Sequence, residues 1–283
     1  MFCMRKMPVL LTFDVDGEMI WRCRDPENAD RPVTLSLGHY GLDRGLPRIL
    51  KVLKKYDAPA TFFVPGMTAE MFPYTLTSIL DEGIHEIGHH SYSHTYPDKF
   101  PSKEAEAEDY ERASRIIEPV VGHKLKGYRS PAWEFSRNTL DILKDMGIEY
   151  SSNMMGTDCL QPLEIFGEKS DIIEVPIHWI LDDAAFWLYS VRIQGKCMQP
   201  LSAVEDCWIK EFDGLYEEFM DEVDSGVDSD IVFVLTCHPQ IIGRPSRMMV
   251  LENVIKHIHS CPNVEFVTMG QAVADYKKRH GLA

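Results

Sequence analysis

Val9-Leu10-Leu11-Thr12-Phe13-Asp14-Val15-Asp16-Gly17 is an apolar run that passes directly into two carboxylates and a glycine. Its aliphatic and aromatic side chains predict a buried β-strand over residues 9–13. Because positions i and i+2 of a strand lie on one face, Asp14 and Asp16 are expected to converge at the carboxyl end of this strand. Acidic residues beside a glycine also form ordinary turns, so these residues alone leave a purely structural role equally open.

Short strands of this kind alternate with longer segments of helical periodicity along the chain. Further strands are predicted at residues 60–64, 85–89, 126–129, 148–151, 172–177, 231–236 and 264–267. The repeated strand-then-helix order predicts an α/β fold with a parallel sheet, either a barrel or a doubly wound sheet. We expect one catalytic domain over residues 1–283, with long loops at about 18–45 and 154–200 over one mouth of a barrel.

The overall composition excludes several classes of protein. The 29 basic and 44 acidic residues give a net charge of −15, which disfavours binding to nucleic acids and to anionic membranes. No apolar run approaches the ~20 residues that cross a bilayer, and the apolar stretch 9–13 is too short for a signal peptide, so a cytoplasmic protein is expected. The seven cysteines form no C-x-x-C motif and predict small buried side chains rather than disulfides or a cysteine zinc site.

A histidine pair follows the third predicted strand, in Gly88-His89-His90-Ser91-Tyr92-Ser93-His94. His90 and His94 are four residues apart, a spacing that on a helical turn places both imidazoles within reach of one zinc ion. Together with a carboxylate from the first strand, they predict a metal site that leaves positions open for water and substrate. His89 points the other way in the strand and is expected to belong to the core.

Two further predicted strands end in residues suited to catalysis. Arg129 can hold a carboxylate through a bidentate pair, and His238 can act as a general acid. Each residue alone is equally compatible with a structural ion pair or a capped strand end. Because the carboxyl ends of barrel strands share one mouth, we expect both to face the carboxylates and the histidine pair.

In this order the motifs resemble those of the polysaccharide deacetylase superfamily, also called carbohydrate esterase family 4. The matching segments span most of the chain: Thr12-Phe13-Asp14-Val15-Asp16, His90-Ser91-Tyr92-Ser93-His94, Arg129-Ser130-Pro131-Ala132-Trp133, Trp179-Ile180-Leu181-Asp182-Asp183 and Thr236-Cys237-His238. The resemblance implies a distorted parallel (β/α) barrel of about seven strands and hydrolysis of a non-peptide amide C–N bond. It also implies one divalent metal ion, usually zinc, with cobalt, nickel or manganese as alternatives.

The resemblance also implies a role for each motif residue. The metal ligands are Asp16, His90 and His94. Asp14 is the general base that takes a proton from water, Arg129 holds this base in place, and His238 is the general acid that protonates the departing nitrogen.

Two departures from the family pattern leave points open. Trp133 follows Pro131 by two positions rather than one, which leaves the backbone donor for the oxyanion unassigned. Asp182 and Asp183 follow Trp179 instead of preceding it, so their role as partners of the acid is also open.

Residues 35–50 and 238–247 resemble a cytosolic branch of the family that includes cyclic imide hydrolases, metal-free allantoinases and proteins labelled peptidoglycan deacetylases. This resemblance implies a homodimer or a homotetramer. We expect a small cyclic imide or ureide as substrate, because the long loops bear aromatic residues suited to a lid. The residues predicted to contact substrate are Tyr40, Trp133, Trp179 and Trp187.

Two alternatives stay open for the function. An N-deacetylase of an N-acetylglucosamine-containing polysaccharide or of peptidoglycan would need an open groove and, for a cell-wall enzyme, export. A catalytically silent, sugar-binding barrel belongs to another class, and the paired acid and base argue against it because binding alone requires neither.

Overall fold

The computed structural model describes residues 5–189 and 197–282. A curled sheet forms its centre, and the strands of these residues are β1 (Met7–Asp14), β2 (Ala60–Val64), β3 (Glu86–His89), β4 (Gly127–Tyr128), β5 (Tyr150–Ser151), β6 (Gln161–Ile165), β7 (Glu168–Glu174), β8 (Phe233–Cys237) and β9 (Val264–Phe266). Eight of them overlap the eight strands predicted from the sequence, and β6 was not predicted.

The strand order of the sheet is β6-β7-β5-β4-β3-β2-β1-β8, and β9 also pairs with β1. Seven neighbouring strands, β7 through β8 in this order, are parallel, whereas β6 runs antiparallel to β7. An isolated bridge between Cys159 and Ile231 links the segments that precede the two outermost strands of this order. The prediction of a distorted parallel barrel of about seven strands is confirmed.

The helices surround this sheet. Within the described residues they are α1 (Met19–Arg22), α2 (Pro32–Tyr40), α3 (Leu46–Lys55), α4 (Gly66–Met71), α5 (Tyr74–Leu80), α6 (Lys103–Val121), α7 (Thr139–Met146), α8 (Asp183–Trp187), α9 (Leu201–Asp224), α10 (Pro239–Ile242), α11 (Pro245–His259) and α12 (Met269–Arg279). The largest apolar cluster joins the outer face of the sheet to α3, α9 and α11, which makes these helices the outer layer.

Strand β1 shows how the fold directs side chains towards the site. Its residues are all buried, as expected for a parallel strand covered on both faces. Val9, Leu11 and Phe13 belong to the outer cluster, whereas Leu10 belongs to the inner cluster, which α12 completes. Because successive side chains alternate between faces, Asp14 shares the inner face with Leu10.

The segment 18–45 is helical, which corrects the prediction of a long loop there. It forms α1, a 3₁₀ helix, α2 and a π-helical turn at Gly41–Gly45. Its glycines allow close packing rather than turns, since a Cβ on Gly38 or Gly41 would lie 2.6 Å from backbone atoms of Gly17 or Gln240. The sequence pattern could not distinguish these two uses of glycine.

The segment 154–200 is also more ordered than a loop wherever the structure describes it. Strands β6 and β7 form a hairpin whose connecting residues, Phe166 and Gly167, both have positive φ. Such a two-residue turn suits the twist of antiparallel strands. A 3₁₀ helix at Trp179–Leu181 and helix α8 follow, and residues 190–196 of the predicted loop lie outside the described residues.

The six cysteines in the described part of the chain are free, as expected, and Cys3 lies outside it. The expectation that they are all buried is wrong, since only Cys237 of the six is fully buried and Cys197 is exposed. Across residues 5–189 and 197–282, no helix combines the length and the apolarity that a membrane crossing requires.

Candidate active site

The two carboxylates of the first motif lie together at the end of β1. Asp14 is the last residue of the strand, and both Asp14 and Asp16 are almost completely buried. Gly17 then turns the chain with a φ of +57°. The hydroxyl of Thr68 donates to the Asp16 carbonyl oxygen at 2.8 Å and fixes the turn from α4.

The histidine pair lies on an irregular loop after β3, not on a helical turn, so the helical premise of that prediction is wrong. Ser91 and His94 have φ values of 58° and 59°, and the Ser91 hydroxyl accepts from the His94 amide at 3.0 Å. The Asp109 carboxylate accepts from the Tyr92 and Ser93 amides at 2.8 and 3.1 Å. Left-handed backbone at non-glycine residues is costly and persists only where surrounding contacts impose it, as they do here.

Asp16, His90 and His94 form a group that fits a divalent cation. The Nε2 atoms of both histidines lie 3.3 Å from Asp16 Oδ1. Asp16 Oδ1 is buried and has no hydrogen-bond partner among the described residues. Two imidazole nitrogens and one carboxylate oxygen that converge without hydrogen bonding are a donor set that suits zinc and related transition metals.

The electrostatics of this group agree with metal binding. Burial lowers the pKa of His94, which favours the neutral imidazole that a metal requires. Burial alone raises the pKa of Asp16, but His94 and His90 outweigh it and hold this pKa well below its ordinary value. Asp16 is therefore ionised, as binding to a cation requires.

The two histidines at the strand end, His89 and His90, have different surroundings. His90 Nδ1 lies 2.7 Å from the Arg129 carbonyl oxygen, which can only accept, so Nδ1 carries the proton and Nε2 is free for a metal. His89 is fully buried, its Nε2 donates to the Tyr110 carbonyl at 2.9 Å, and burial lowers its pKa to about 4. His89 is a core residue.

Arg129 contacts Asp14 through a single guanidinium nitrogen, Nη1, rather than through the predicted bidentate pair. Its Nη1 donates to Asp14 Oδ1 at 2.8 Å and to the Thr12 hydroxyl at 3.0 Å. Its Nη2 donates to the Ser152 hydroxyl at 3.0 Å, and its guanidinium lies over the Phe63 ring. Arg129 contacts only Oδ1, and the other oxygen of Asp14, Oδ2, lies 4.0 Å from Nε2 of both His90 and His238.

His238 is held by Asp183, which answers one of the two points that the sequence left open. Its Nδ1 donates to Asp183 Oδ1 at 2.7 Å, and its backbone amide donates to the same carboxylate at 3.0 Å. Burial lowers the pKa of His238, but Asp183 and Asp182 outweigh it and raise the pKa well above its ordinary value. Burial raises the pKa of Asp182 to about 7.

A small cavity connects these groups. Its volume is about 80 Å³ among the described residues, and Asp14, Asp16, both site histidines and His238 line it. Trp133 and Trp179 form one wall, with ring centroids 4.0 Å apart and ring planes 18° from parallel. Arg24 and Tyr96 also line the cavity, although no sequence pattern marked them, because neither belongs to a motif.

Two residues predicted to contact substrate lie elsewhere in the described structure. Trp187 is buried against Trp208, and its Nε1 donates to the Gln199 carbonyl, so it packs under the segment instead of lining the cavity. The Tyr40 ring is covered by Arg48 and Arg244, also away from the cavity lining. Both predictions are corrected, because helices occupy positions where loops were expected.

In the motif Arg129-Ser130-Pro131-Ala132-Trp133, the backbone N–H group of Trp133 is not available as an oxyanion donor. The Trp133 amide donates to the Ser130 carbonyl at 3.1 Å, and both Ala132 and Trp133 have positive φ. The one additional residue between Pro131 and Trp133, relative to the family pattern, is thus accommodated in a tight turn. That turn places the Trp133 ring on the cavity wall rather than its N–H group.

A curled parallel barrel with an Asp-His-His group, an Arg-paired carboxylate and an Asp-paired imidazole at one mouth is typical of a hydrolase. Comparisons with known proteins agree. The family model for polysaccharide deacetylase matches residues 3–151. The chain therefore belongs to the polysaccharide deacetylase family, whose deacetylases are metal-dependent, and it is a hydrolase acting on carbon–nitrogen bonds other than peptide bonds.

Individual relatives extend the likeness over the whole chain. The peptidoglycan deacetylase of Helicobacter pylori is 31% identical over 276 residues, which cover 89% of this chain and 90% of that protein. A Mycobacterium smegmatis structure named as a polysaccharide deacetylase is 30% identical, with a TM-score of 0.85 over 100% of this chain and 94% of that one. Puue allantoinase shares the fold at 20% identity, with a TM-score of 0.80 over 99% of this chain and 93% of its own.

The Asp183→Asn variant is expected to lose activity at lower pH than the parent on the alkaline side. A general acid works only while protonated, so activity falls as the pH rises through the pKa of His238. Since the Asp183 charge raises that pKa, removing it lowers the pKa and moves the alkaline limb to lower pH. The pH profile of kcat/KM measures this shift, and an unmoved alkaline limb would contradict the assignment of His238 as the acid.

Proposed function

We propose that this protein opens a small cyclic imide or ureide by hydrolysing its amide C–N bond. The observation that carries the proposal is the cavity of about 80 Å³ over the buried Asp-His-His group. This volume is far below the roughly 300–1,000 Å³ of pockets that enclose drug-sized ligands. A small planar ring fits such a site beside the Trp133–Trp179 wall, whereas a glycan chain needs a groove open at both ends.

The chemistry follows from the groups around the cavity. A divalent cation, which we propose to be zinc, would be held by Asp16, His90 and His94 and would supply a Lewis acid. Asp14 takes a proton from the attacking water through Oδ2, which Arg129 leaves free. His238 then protonates the departing nitrogen from Nε2, which lies 4.0 Å from Asp14 Oδ2 and is aimed into the cavity because Asp183 holds Nδ1.

The second candidate is the removal of acetyl groups from an N-acetylglucosamine-containing polysaccharide or from peptidoglycan. It is favoured by the 31% identity to the Helicobacter pylori peptidoglycan deacetylase over most of both chains. The same acid, base and metal groups would serve either reaction, since both break an amide C–N bond. A catalytically silent sugar-binding barrel is disfavoured, because binding requires neither the Asp14–Arg129 pair nor the Asp183–His238 pair.

A substrate panel distinguishes these candidates. Metal-stripped protein reloaded with zinc, cobalt or manganese is tested on succinimide, hydantoin and allantoin, and in parallel on chitooligosaccharides and N-acetylated peptidoglycan fragments. We expect ring opening of at least one small compound without acetate release from the sugars. Acetate release without ring opening would establish the second candidate. Sugar binding without any turnover would establish the silent barrel, and the Asp14→Asn protein controls for contaminating hydrolases.

Truncation of Trp179 is expected to weaken substrate binding, whereas truncation of Trp187 is expected to lower the stability of the fold. Trp179 is 42% exposed and forms the cavity wall, so Trp179→Ala should raise KM for a small ring about tenfold with little change in thermal stability. Trp187 is 2% exposed, so Trp187→Ala should lower the free energy of unfolding by about 3–5 kcal/mol. Michaelis kinetics and denaturant unfolding measure the two effects. An unchanged KM for Trp179→Ala would contradict the proposal that Trp179 contacts the substrate.

We further propose a homodimer or homotetramer in the cytoplasm. Val33 and Leu37 of α2 are 83% and 46% exposed, and Met71 and Tyr74 add to the exposed apolar surface of the protein. Light scattering should return two or four times the mass of one chain, and Val33→Glu with Leu37→Glu should reduce it. Met249→Glu, an exposed site on α11, serves as the control. A parent protein with the mass of a single chain would contradict the proposal.

A further inference from the structure

The two histidines of the Asp-His-His group differ in what holds their outer nitrogen. His90 Nδ1 faces the carbonyl oxygen of Arg129 at 2.7 Å, a strong acceptor. His94 Nδ1 faces the sulfur of Cys23 at 3.3 Å instead. Metal-binding histidines usually donate this second N–H to an oxygen, and that outer contact sets the tautomer, the ring orientation and the basicity of the ligand.

We propose that Cys23 is a positioning residue that holds His94 in the tautomer and orientation required to bind a metal ion. This inference rests on the proposed metal site. Nothing in the sequence motifs pointed to Cys23, which lies 71 positions before His94 in the chain.

The tautomer argument follows from the neighbours of the His94 ring. Its Nε2 lies 3.3 Å from the unpartnered Asp16 Oδ1, so a cation between these atoms needs a lone pair on Nε2. The proton of the neutral ring must then lie on Nδ1, and Cys23 Sγ is the acceptor that the described structure offers it. In the opposite tautomer the thiol would donate to Nδ1 and the proton on Nε2 would occupy the metal position.

The surroundings of Cys23 favour its role as an acceptor. Cys23 is partly buried, and its thiol has one S–H group to donate and a sulfur that can accept. The Ile20 carbonyl oxygen lies 3.8 Å from Sγ and can take the S–H bond, which leaves a sulfur lone pair for the imidazole N–H. A chain of donors therefore runs from His94 through the sulfur to the backbone of α1.

Helix α1 is itself fixed, which makes Cys23 a rigid support. The buried Glu18 carboxylate accepts from Arg22 Nε at 2.6 Å and pairs with His39 Nε2 at 2.5 Å. The Asn28 side chain donates to the Trp21 carbonyl at 2.8 Å just before Cys23. The segment that was predicted to be a loop is therefore the part of the fold that orients one metal ligand.

The sulfur is not placed as a fourth metal ligand. Cys23 Sγ contacts Nδ1, whereas the atoms that converge on the metal position are His94 Nε2, His90 Nε2 and Asp16 Oδ1. A cation bound between those three atoms would be shielded from the sulfur by the His94 ring.

Metal affinity tests the proposal without reference to turnover. Metal-stripped variants are titrated with Zn²⁺ in competition with a chromophoric chelator, and with Co²⁺ while its visible absorption is recorded. Cys23→Ala should weaken affinity about 10–100-fold and alter the Co²⁺ spectrum. Cys23→Ser should stay within about threefold of the parent, because a hydroxyl also donates and accepts. Cys207→Ala, a partly exposed cysteine on α9, should match the parent.

Each other outcome rejects a specific assignment. Parent-like affinity in Cys23→Ala, with affinity lost in His94→Ala, would overturn the role of Cys23 and keep the metal site. Parent-like affinity in His94→Ala would overturn the metal site itself. Thermal unfolding of the metal-free proteins should be the same for Cys23→Ala and the parent. A weakened affinity that appears only together with a lowered unfolding temperature, and that Cys23→Ser does not restore, would show that Cys23 acts by packing.

Discussion

Replacing Asp14 with asparagine is expected to reduce kcat by roughly 10²–10⁴-fold while the protein keeps its metal and its fold. An asparagine oxygen can still accept from Arg129 Nη1, which now contacts Asp14 Oδ1 at 2.8 Å, so the buried guanidinium is not left without a partner. What disappears is the proposed proton acceptor at Oδ2, which lies 4.0 Å from Nε2 of both His238 and His90. Steady-state kinetics and elemental analysis of the same sample measure both parts of the prediction.

Glu106→Gln is a suitable control for this variant, because Glu106 is a buried carboxylate whose partners, Tyr110, Ser136 and Thr139, belong to a separate network. It should leave kcat close to the parent value. If Asp14→Asn loses the metal as well as activity, then Asp14 is a ligand and the roles of Asp14 and Asp16 must be exchanged.

Replacing His90 with alanine should abolish stoichiometric metal binding and reduce activity to the background of the assay. His90 is one of the three proposed protein ligands, and without it Asp16 Oδ1 would keep a single imidazole neighbour at 3.3 Å. Three ligands are the usual minimum of a catalytic zinc site, so two should not retain the ion through dialysis against a chelator. Elemental analysis after dialysis is the measurement.

His123→Ala provides the matched control, because this histidine is exposed and its Nδ1 contacts only the neighbouring Lys124 carbonyl among the described residues. It should retain the metal and full activity. Stoichiometric metal in both His90→Ala and His94→Ala would show that the ion binds elsewhere. In that event Asp182, Asp183 and His238, the other described group with metal-ligating atoms close together, would become the candidate.

The sequence determined the fold class and the composition of the site, because both depend on local patterns. The apolar run that ends at Asp14 reads as a buried strand whatever surrounds it, and parallel strands bring their carboxyl ends together. The motif residues Asp14, Asp16, His90, His94, Arg129 and His238 are accordingly found within one region of the structure.

Tertiary structure decided which neighbours those residues have. The partner of His238 is Asp183, 55 positions away, and the sequence offered Asp182 and Asp183 without a means of choosing between them. The contact between Cys23 and His94 arises because α1 packs beside the loop after β3. The periodicity of apolar residues in the sequence does not predict contacts between such distant segments. Trp179 and Trp187 look equivalent in the sequence, yet a short 3₁₀ helix exposes the first and α8 buries the second. Local patterns specify which face of an element is apolar, but packing between distant elements decides which side chains meet.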